Sequence, residues 1–192
     1  MPEIVLASSS LYRRTLLEKL GLPFICASPS VDETPNPQES APTLVARLAT
    51  EKAQALATIY PNHLIIGSDQ VAHLDNTIIG KPGNFVNAVS QLQACSARRV
   101  EFLTGLCVLE SGSGRHQTIV EPFAVIFRQL STAQIQRYLE REQPFDCAGS
   151  FKAEGLGIAL FERLEGDDPN ALIGLPLIRL VTLLQQAGVA VL

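Results

Sequence analysis

The chain has 192 residues, 46% of them hydrophobic and 18% charged, enough for one folded domain, residues 1–192, with a sizeable core and too apolar for disorder. A net charge of −4 with no basic block argues against a broad nucleic-acid surface. No apolar run approaches the roughly 20 residues of a membrane span, and the opening MPEIVLASSS does not read as a secretory signal.

Residues 4–7 (IVLA) read as a short buried strand, followed by ASSSLYRR and a helix over about 10–20 that stops at Gly21. Ser10 can cap that helix, and a helix start rich in hydroxyls and guanidiniums is also a place for phosphate. FICA (24–27) is a second strand. SPSVDETPNPQESAP (28–42) is a loop, long enough to suggest a function. The strongest helix covers 43–59, entered through Ser40 and Pro42 and left at Pro61. HLIIGSD is a strand ending in a turn, and VAHLDNTIIGKP a hairpin around Asp75-Asn76. A helix over about 84–94 precedes two long strands, VEFLTGLCVLE and IVEPFAVIFRQL, joined by the turn SGSGR. Ser131 and Gln134 make a capping box for a helix over 131–141. After the loop CAGSFKAEG come a strand at 156–161 and a last helix over about 176–187. The order is α/β, with a mixed sheet because of the hairpins.

Two cations stand in apolar company. In the helix over 43–59, Leu44, Val45, Leu48, Ala49, Ala55, Leu56 and Ile59 form one stripe, and Lys52 lies in its middle. Arg47, Glu51 and Gln54 fall on the opposite side. Arg13 shares the apolar face of the first helix with Leu16, Leu17 and Leu20. A long basic side chain can snorkel to a core's rim. Two helices doing so at once point instead to a common anion, such as a phosphate chain.

Asp69 ends a buried strand, where open α/β sheets bind ligands, although Gly-Ser-Asp is also ordinary turn chemistry. Asp32 and Glu33 in the long loop read equally well as solvated charges, and Lys81 is fixed in a GKP hairpin exit. There is no Walker glycine loop. Cys26, Cys95, Cys107 and Cys147 form no CxxC pair and read as free thiols of a reducing cytosol. His63, His73 and His116 lack ligand spacing. Cations for phosphates and carboxylates for Mg²⁺ or Mn²⁺ suit metal-assisted attack of water on a nucleotide phosphate.

LASSSLYRRTLL, VDETP, RLATEKAQA, IIGSDQV, GKP, TGL, CAGSFKAEGLG and GLP, in this order and spanning nearly the whole chain, resemble the Maf (septum formation inhibitor-like) family of nucleoside triphosphate pyrophosphatases, most of all its branch that hydrolyses 7-methyl-GTP. The resemblance implies a mixed α/β sheet flanked by helices, related to the inosine-triphosphate pyrophosphatases. It implies Mg²⁺ or Mn²⁺ as cofactor, a nucleotide substrate and a homodimer. A cytoplasmic location and the expectation of neither a nucleic-acid nor a membrane partner rest on the cysteines, the net charge and the apolar runs read above. Carried over by residue, Asp69 is the catalytic carboxylate or a metal ligand, and Glu33 a metal or water partner. Ser8, Arg13, Lys52 and Lys81 bind phosphate; Tyr12, Gln70 and Glu154 bear on substrate choice. Leu11 stands where the family usually has Pro, and Tyr12 where the branch often has Trp. A cationic 7-methylguanine prefers an electron-rich face such as Tyr12, and Glu154 can accept from the guanine edge. A dTTP/UTP pyrophosphatase and a non-catalytic nucleotide-binding regulator of division are the alternatives.

Overall fold

Alternating apolar residues in the central strands sort two layers of core. In the computed structural model, which describes residues 2–75 and 77–192, Ile4–Ala7 (β1) lies between two parallel partners, Phe24–Ala27 (β2) and Leu64–Leu74 (β3). With Arg99–Glu110 (β5), His116–Phe127 (β6) and Phe161–Glu165 (β7), the strand order is β2-β1-β3-β5-β6-β7, and Thr77–Ile79 (β4) pairs with β3. This is the expected mixed sheet.

The chain divides into two compact units. The first holds residues 1–70, 104–121 and 168–192. On one sheet face Ile4, Leu6, Leu64, Ile66, Leu106 and Val108 pack with Leu16 and Leu17 of helix Leu11–Glu18 (α1) and with Leu180 and Leu184 of helix Leu177–Gln186 (α6). On the other face Val5, Ala7, Ile65, Cys107 and Leu109 pack with Ala49 and Ala53 of helix Ala41–Gln54 (α2). The switch from period 2 in the strands to period 3.6 in the helices produces this two-faced sandwich.

Glycine sets the depth of α2. A Cβ on Gly67 would lie 2.0 Å from the Ala49 carbonyl oxygen, and one on Gly105 2.1 Å from that of Val45. The helix therefore rests on strand backbone, an approach only glycine permits.

The second unit holds residues 71–103 and 122–167. Phe102, Phe127, Phe151 and Phe161 form its aromatic centre, with edge-on ring pairs 4.8–5.7 Å apart. Helices Phe85–Cys95 (α3) and Thr132–Glu142 (α4) belong to it, capped by Asn84 and by the expected Ser131–Gln134 box. In the β3–β4 hairpin the last register pair is Leu74↔Thr77. Of the expected turn residues, Asp75 has a left-handed φ of 46°, and Asn76 lies outside the described residues.

Several expectations are corrected. The strand at 63–69 does not end in a turn: β3 runs on to Leu74 because its last residues pair with β4. The helix over 43–59 begins earlier, with Pro42 in its first turn, and ends at Gln54. The chain then descends through single turns toward Pro61, so Ile59, 64% exposed, leaves the apolar stripe, and Ala55 is exposed too. Residues 156–160 form a 3₁₀ helix rather than a strand, folded back so that Gly157 N–H bonds the Lys152 carbonyl, and β7 starts at Phe161. A short helix, Pro169–Ile173 (α5), precedes α6 and has no counterpart in the sequence reading.

Candidate active site

The site grows from the level where β1 ends. Ala7 pairs with Gly67, so the residues just after β1 and the middle of β3 lie side by side. Parallel strands offer ligands such an edge. Ser8, 7% exposed, accepts the Ser10 N–H at 3.1 Å, and Ser10, the N-cap of α1, accepts that of Arg13 at 3.4 Å. Each hydroxyl keeps its own proton to donate.

Asp69 shares a face of β3 with Gly67, two residues back, and Lys52 follows Ala49 by less than one turn of α2. The glycine contact thus brings Lys52 down onto Asp69. Lys52 Nζ is 2.7 Å from Asp69 Oδ1 and 2.5 Å from Glu33 Oε1. The Lys52 side chain is only 8% exposed, so its ammonium does not snorkel to water; carboxylates replace its hydration.

Arg13 stands on α1, which packs on the other side of the sheet from α2. Its Nε donates to the Gly174 carbonyl at 2.9 Å. Burial draws the guanidinium's pKa down, and the charges of Asp69 and Glu33 offset part of that. Asp69 and Glu33, the carboxylates that meet Lys52, are thus within electrostatic reach of Arg13 as well.

Arg47 places the long loop. Expected on the solvent side of its helix, it is half-buried. It grips Glu39 with two nitrogens, at 2.7 and 2.8 Å, and also bonds Glu51 and the Thr34 carbonyl. The Arg47 guanidinium and the Asn36 N–H pull the Glu39 carboxyl down to about 2. This clamp fixes the VDETP segment that carries Glu33.

Gln70 faces away from Asp69, as strand alternation requires. Its Nε2 donates to Thr104 Oγ1 (3.0 Å) and to the Ala171 and Leu172 carbonyls (2.7 and 3.1 Å). Tyr12 is half-buried on α1, and Leu11 is 73% exposed. Lys81 and Glu154 belong to the second unit, and both are exposed. The loop bearing Glu154 is held by α4: Tyr138 Oη accepts the Lys152 N–H at 3.0 Å, and Glu142 Oε1 accepts that of Leu156 at 3.2 Å.

Sequence reasoning passed over Ser68, Asp168 and Gly174. Ser68 Oγ lies 2.9 Å from both the Gly105 and Gly174 carbonyl oxygens. Asp168, wholly buried, accepts from Asn170 N and Nδ2 at 2.9 and 2.7 Å and from Ile178 N at 2.8 Å. The alternation Ser68-Asp69-Gln70 was the available signal, since a strand must send Asp69 one way and both neighbours the other.

Among the described residues no group of three or more His, Cys, Asp or Glu side chains is gathered to hold a metal, and no helix is long and apolar enough to cross a membrane. Two carboxylates, Asp69 and Glu33, do meet at the Lys52 ammonium. That donor set fits a hard divalent cation completing its shell with water and phosphate oxygens.

The mixed α/β fold is shared with solved structures. The solved HAM1 protein of Coxiella burnetii is 14% identical, with 97% of this chain and 100% of that one covered at a TM-score of 0.51. The chain belongs to the Maf-like protein family, which it matches over residues 3–187. Relatives named 7-methyl-GTP pyrophosphatase include one from Colwellia psychrerythraea, 59% identical over all of this chain and 96% of its own length. Another, from Nitrosococcus oceani, is 58% identical over the same shares.

Proposed function

We propose that the chain is a hydrolase that cleaves 7-methyl-GTP to 7-methyl-GMP and pyrophosphate. The full-length likeness to relatives of that name supports the substrate. The observation that carries the chemistry is the buried Lys52 between Asp69 and Glu33. In this reading water attacks the α-phosphorus, the bond from that phosphorus to the α,β-bridging oxygen breaks, and pyrophosphate leaves. Asp69 accepts the water's proton. Arg13, Lys52 and Lys81 neutralise the phosphate oxygens, and the Ser8 hydroxyl donates to one of them. Incoming phosphate takes over Lys52 from the carboxylates, and Asp69 and Glu33 would then hold Mg²⁺ or Mn²⁺, whose chemistry is to withdraw charge from phosphate and acidify water.

Tyr12 supplies the stacking face and Glu154 the guanine-edge acceptor in the same reading. The four cysteines, all free thiols, support a cytoplasmic location; the family resemblance supports a homodimer, and the net charge of −4 is the ground for reading no nucleic-acid partner. Pyrophosphate release from 7-methyl-GTP, GTP, UTP and dTTP with Mg²⁺ or Mn²⁺ tests the proposal. Preference for 7-methyl-GTP is expected. Preference for UTP or dTTP would overturn the substrate, and no release from any nucleotide would overturn the activity.

A further inference from the structure

One carbonyl serves two donors. The Gly174 oxygen accepts from Arg13 Nε at 2.9 Å, and it shares the single Ser68 hydroxyl proton with the Gly105 oxygen, both oxygens lying 2.9 Å from Ser68 Oγ. With Nε–H committed there, the guanidinium plane is fixed, and its two terminal nitrogens remain for a ligand.

The carbonyl is itself held rigidly. Gly174 has φ +121°, and a Cβ there would stand 3.3 Å from Arg13 Nε, so backbone replaces side chain at this contact. Asp168 ties the start of α5 to the start of α6 through its three hydrogen bonds. Gln70 and Thr104 hold the Ala171 carbonyl, and Gln70 that of Leu172 as well. Strand β3 therefore presents Asp69 on one face, while Ser68 and Gln70, its neighbours, grip residues 171–174 from the other.

We propose that Ser68 is a positioning residue for Arg13, acting through the Gly174 carbonyl, so that one strand both carries the carboxylate and aims the cation opposite it. The consequence for turnover rests on reading Arg13 as a phosphate-binding residue; the geometry of the relay does not.

Ser68→Ala deletes one buried hydroxyl and tests this in two ways. The Arg13 Nε–H signal in ¹⁵N spectra, identified by its loss in Arg13→Lys, should exchange with water about tenfold faster in Ser68→Ala, as expected for one weakened hydrogen bond. On the proposed nucleotide, Ser68→Ala should lower kcat/KM about tenfold when Arg13 is present and less than about threefold in an Arg13→Met background, because coupled residues do not add. An unchanged Nε–H exchange, or equal losses in both backgrounds, would overturn the proposal. If wild type hydrolyses no nucleotide, the functional reading fails and the exchange measurement alone decides the positioning. Should Ser68→Ala fail to fold, Ser68→Cys, which keeps a weak donor, carries the same expectation at smaller size.

Discussion

Lys52 Nζ lies 2.7 Å from Asp69 Oδ1, with the two side chains only 8% and 10% exposed. An ammonium and a carboxylate withdrawn from water together serve as each other's solvation, and the more exposed Glu33 completes the ammonium's surroundings. Removing either partner therefore differs from trimming a surface ion pair.

Lys52→Met should cost about 3 kcal/mol of folding free energy, the lower end for a broken buried pair because Arg13 stays near Asp69. Adding Asp69→Asn should recover part of that loss, which urea unfolding of both variants measures. Asp69→Asn alone should lower kcat about 10²- to 10⁴-fold, the usual worth of a general base, with its circular dichroism unchanged. Near-wild-type turnover at saturating metal would remove Asp69 from the chemistry.

Glu154→Gln keeps size and removes charge, so it should cost 7-methyl-GTP more than UTP in kcat/KM. Tyr12→Leu should narrow the preference for the methylated over the plain guanine. A desolvated cation–π contact is worth about 2 kcal/mol, or more than tenfold. Equal slowing of every nucleotide by Glu154→Gln would assign base choice elsewhere.

The Arg47–Glu39 clamp predicts an acid profile. Glu39 has its folded pKa lowered from 4.5 to about 2 by Arg47 and the Asn36 N–H. Its contribution is complete above pH 4.5, declines as the unfolded chain takes up the proton, and is gone below about 2. The stability difference between wild type and Glu39→Gln, followed by urea unfolding, should thus be flat above that window and shrink within it. A difference independent of pH down to the lower limit would mean the clamp does not hold Glu39 ionised.

Leu11 occupies the first helical position of α1 after the N-cap Ser10, whose φ of −70° and ψ of 119° are those a residue before proline adopts. Its side chain is 73% exposed. Leu11→Pro should therefore raise stability, by about 0.4–1 kcal/mol, by stiffening the unfolded chain. A lowered Tm would show that the Leu11 side chain or N–H is needed.

Arg13 and Lys52 were legible in the sequence because a charge at an apolar position of a helix is visible without knowing what lies opposite. Asp69 was legible as a carboxylate beside a buried run, although the strand continues past it; its extension depends on pairing with β4, a partner that a reading of residues 63–69 alone does not include. The caps at Ser10 and Ser131 involve neighbours within three residues and were readable. Ser68 and Gly174 are 106 positions apart and meet only when α5 has folded onto the sheet. The five residues of α5, which begin with a proline and are followed at once by a glycine, are too few to show a helical period. The Arg47 clamp spans eight positions and a loop, which no single-element periodicity encodes.

The bare contact of α2 with β3 at Gly67 bears on how this protein can vary. Elsewhere in the core, exchanging one aliphatic side chain for another shifts a helix by fractions of an ångström. Between Ala49 and Gly67 there is no side chain to exchange, so the spacing of Lys52 and Asp69 is set by main-chain atoms that every sequence shares. Substitutions that enlarge or shrink the surrounding core will change how long the protein survives heating, while the distance between its two central charges stays the same. Gly67 is the position at which that separation breaks down, since a single methyl there moves the charges and loosens the fold together.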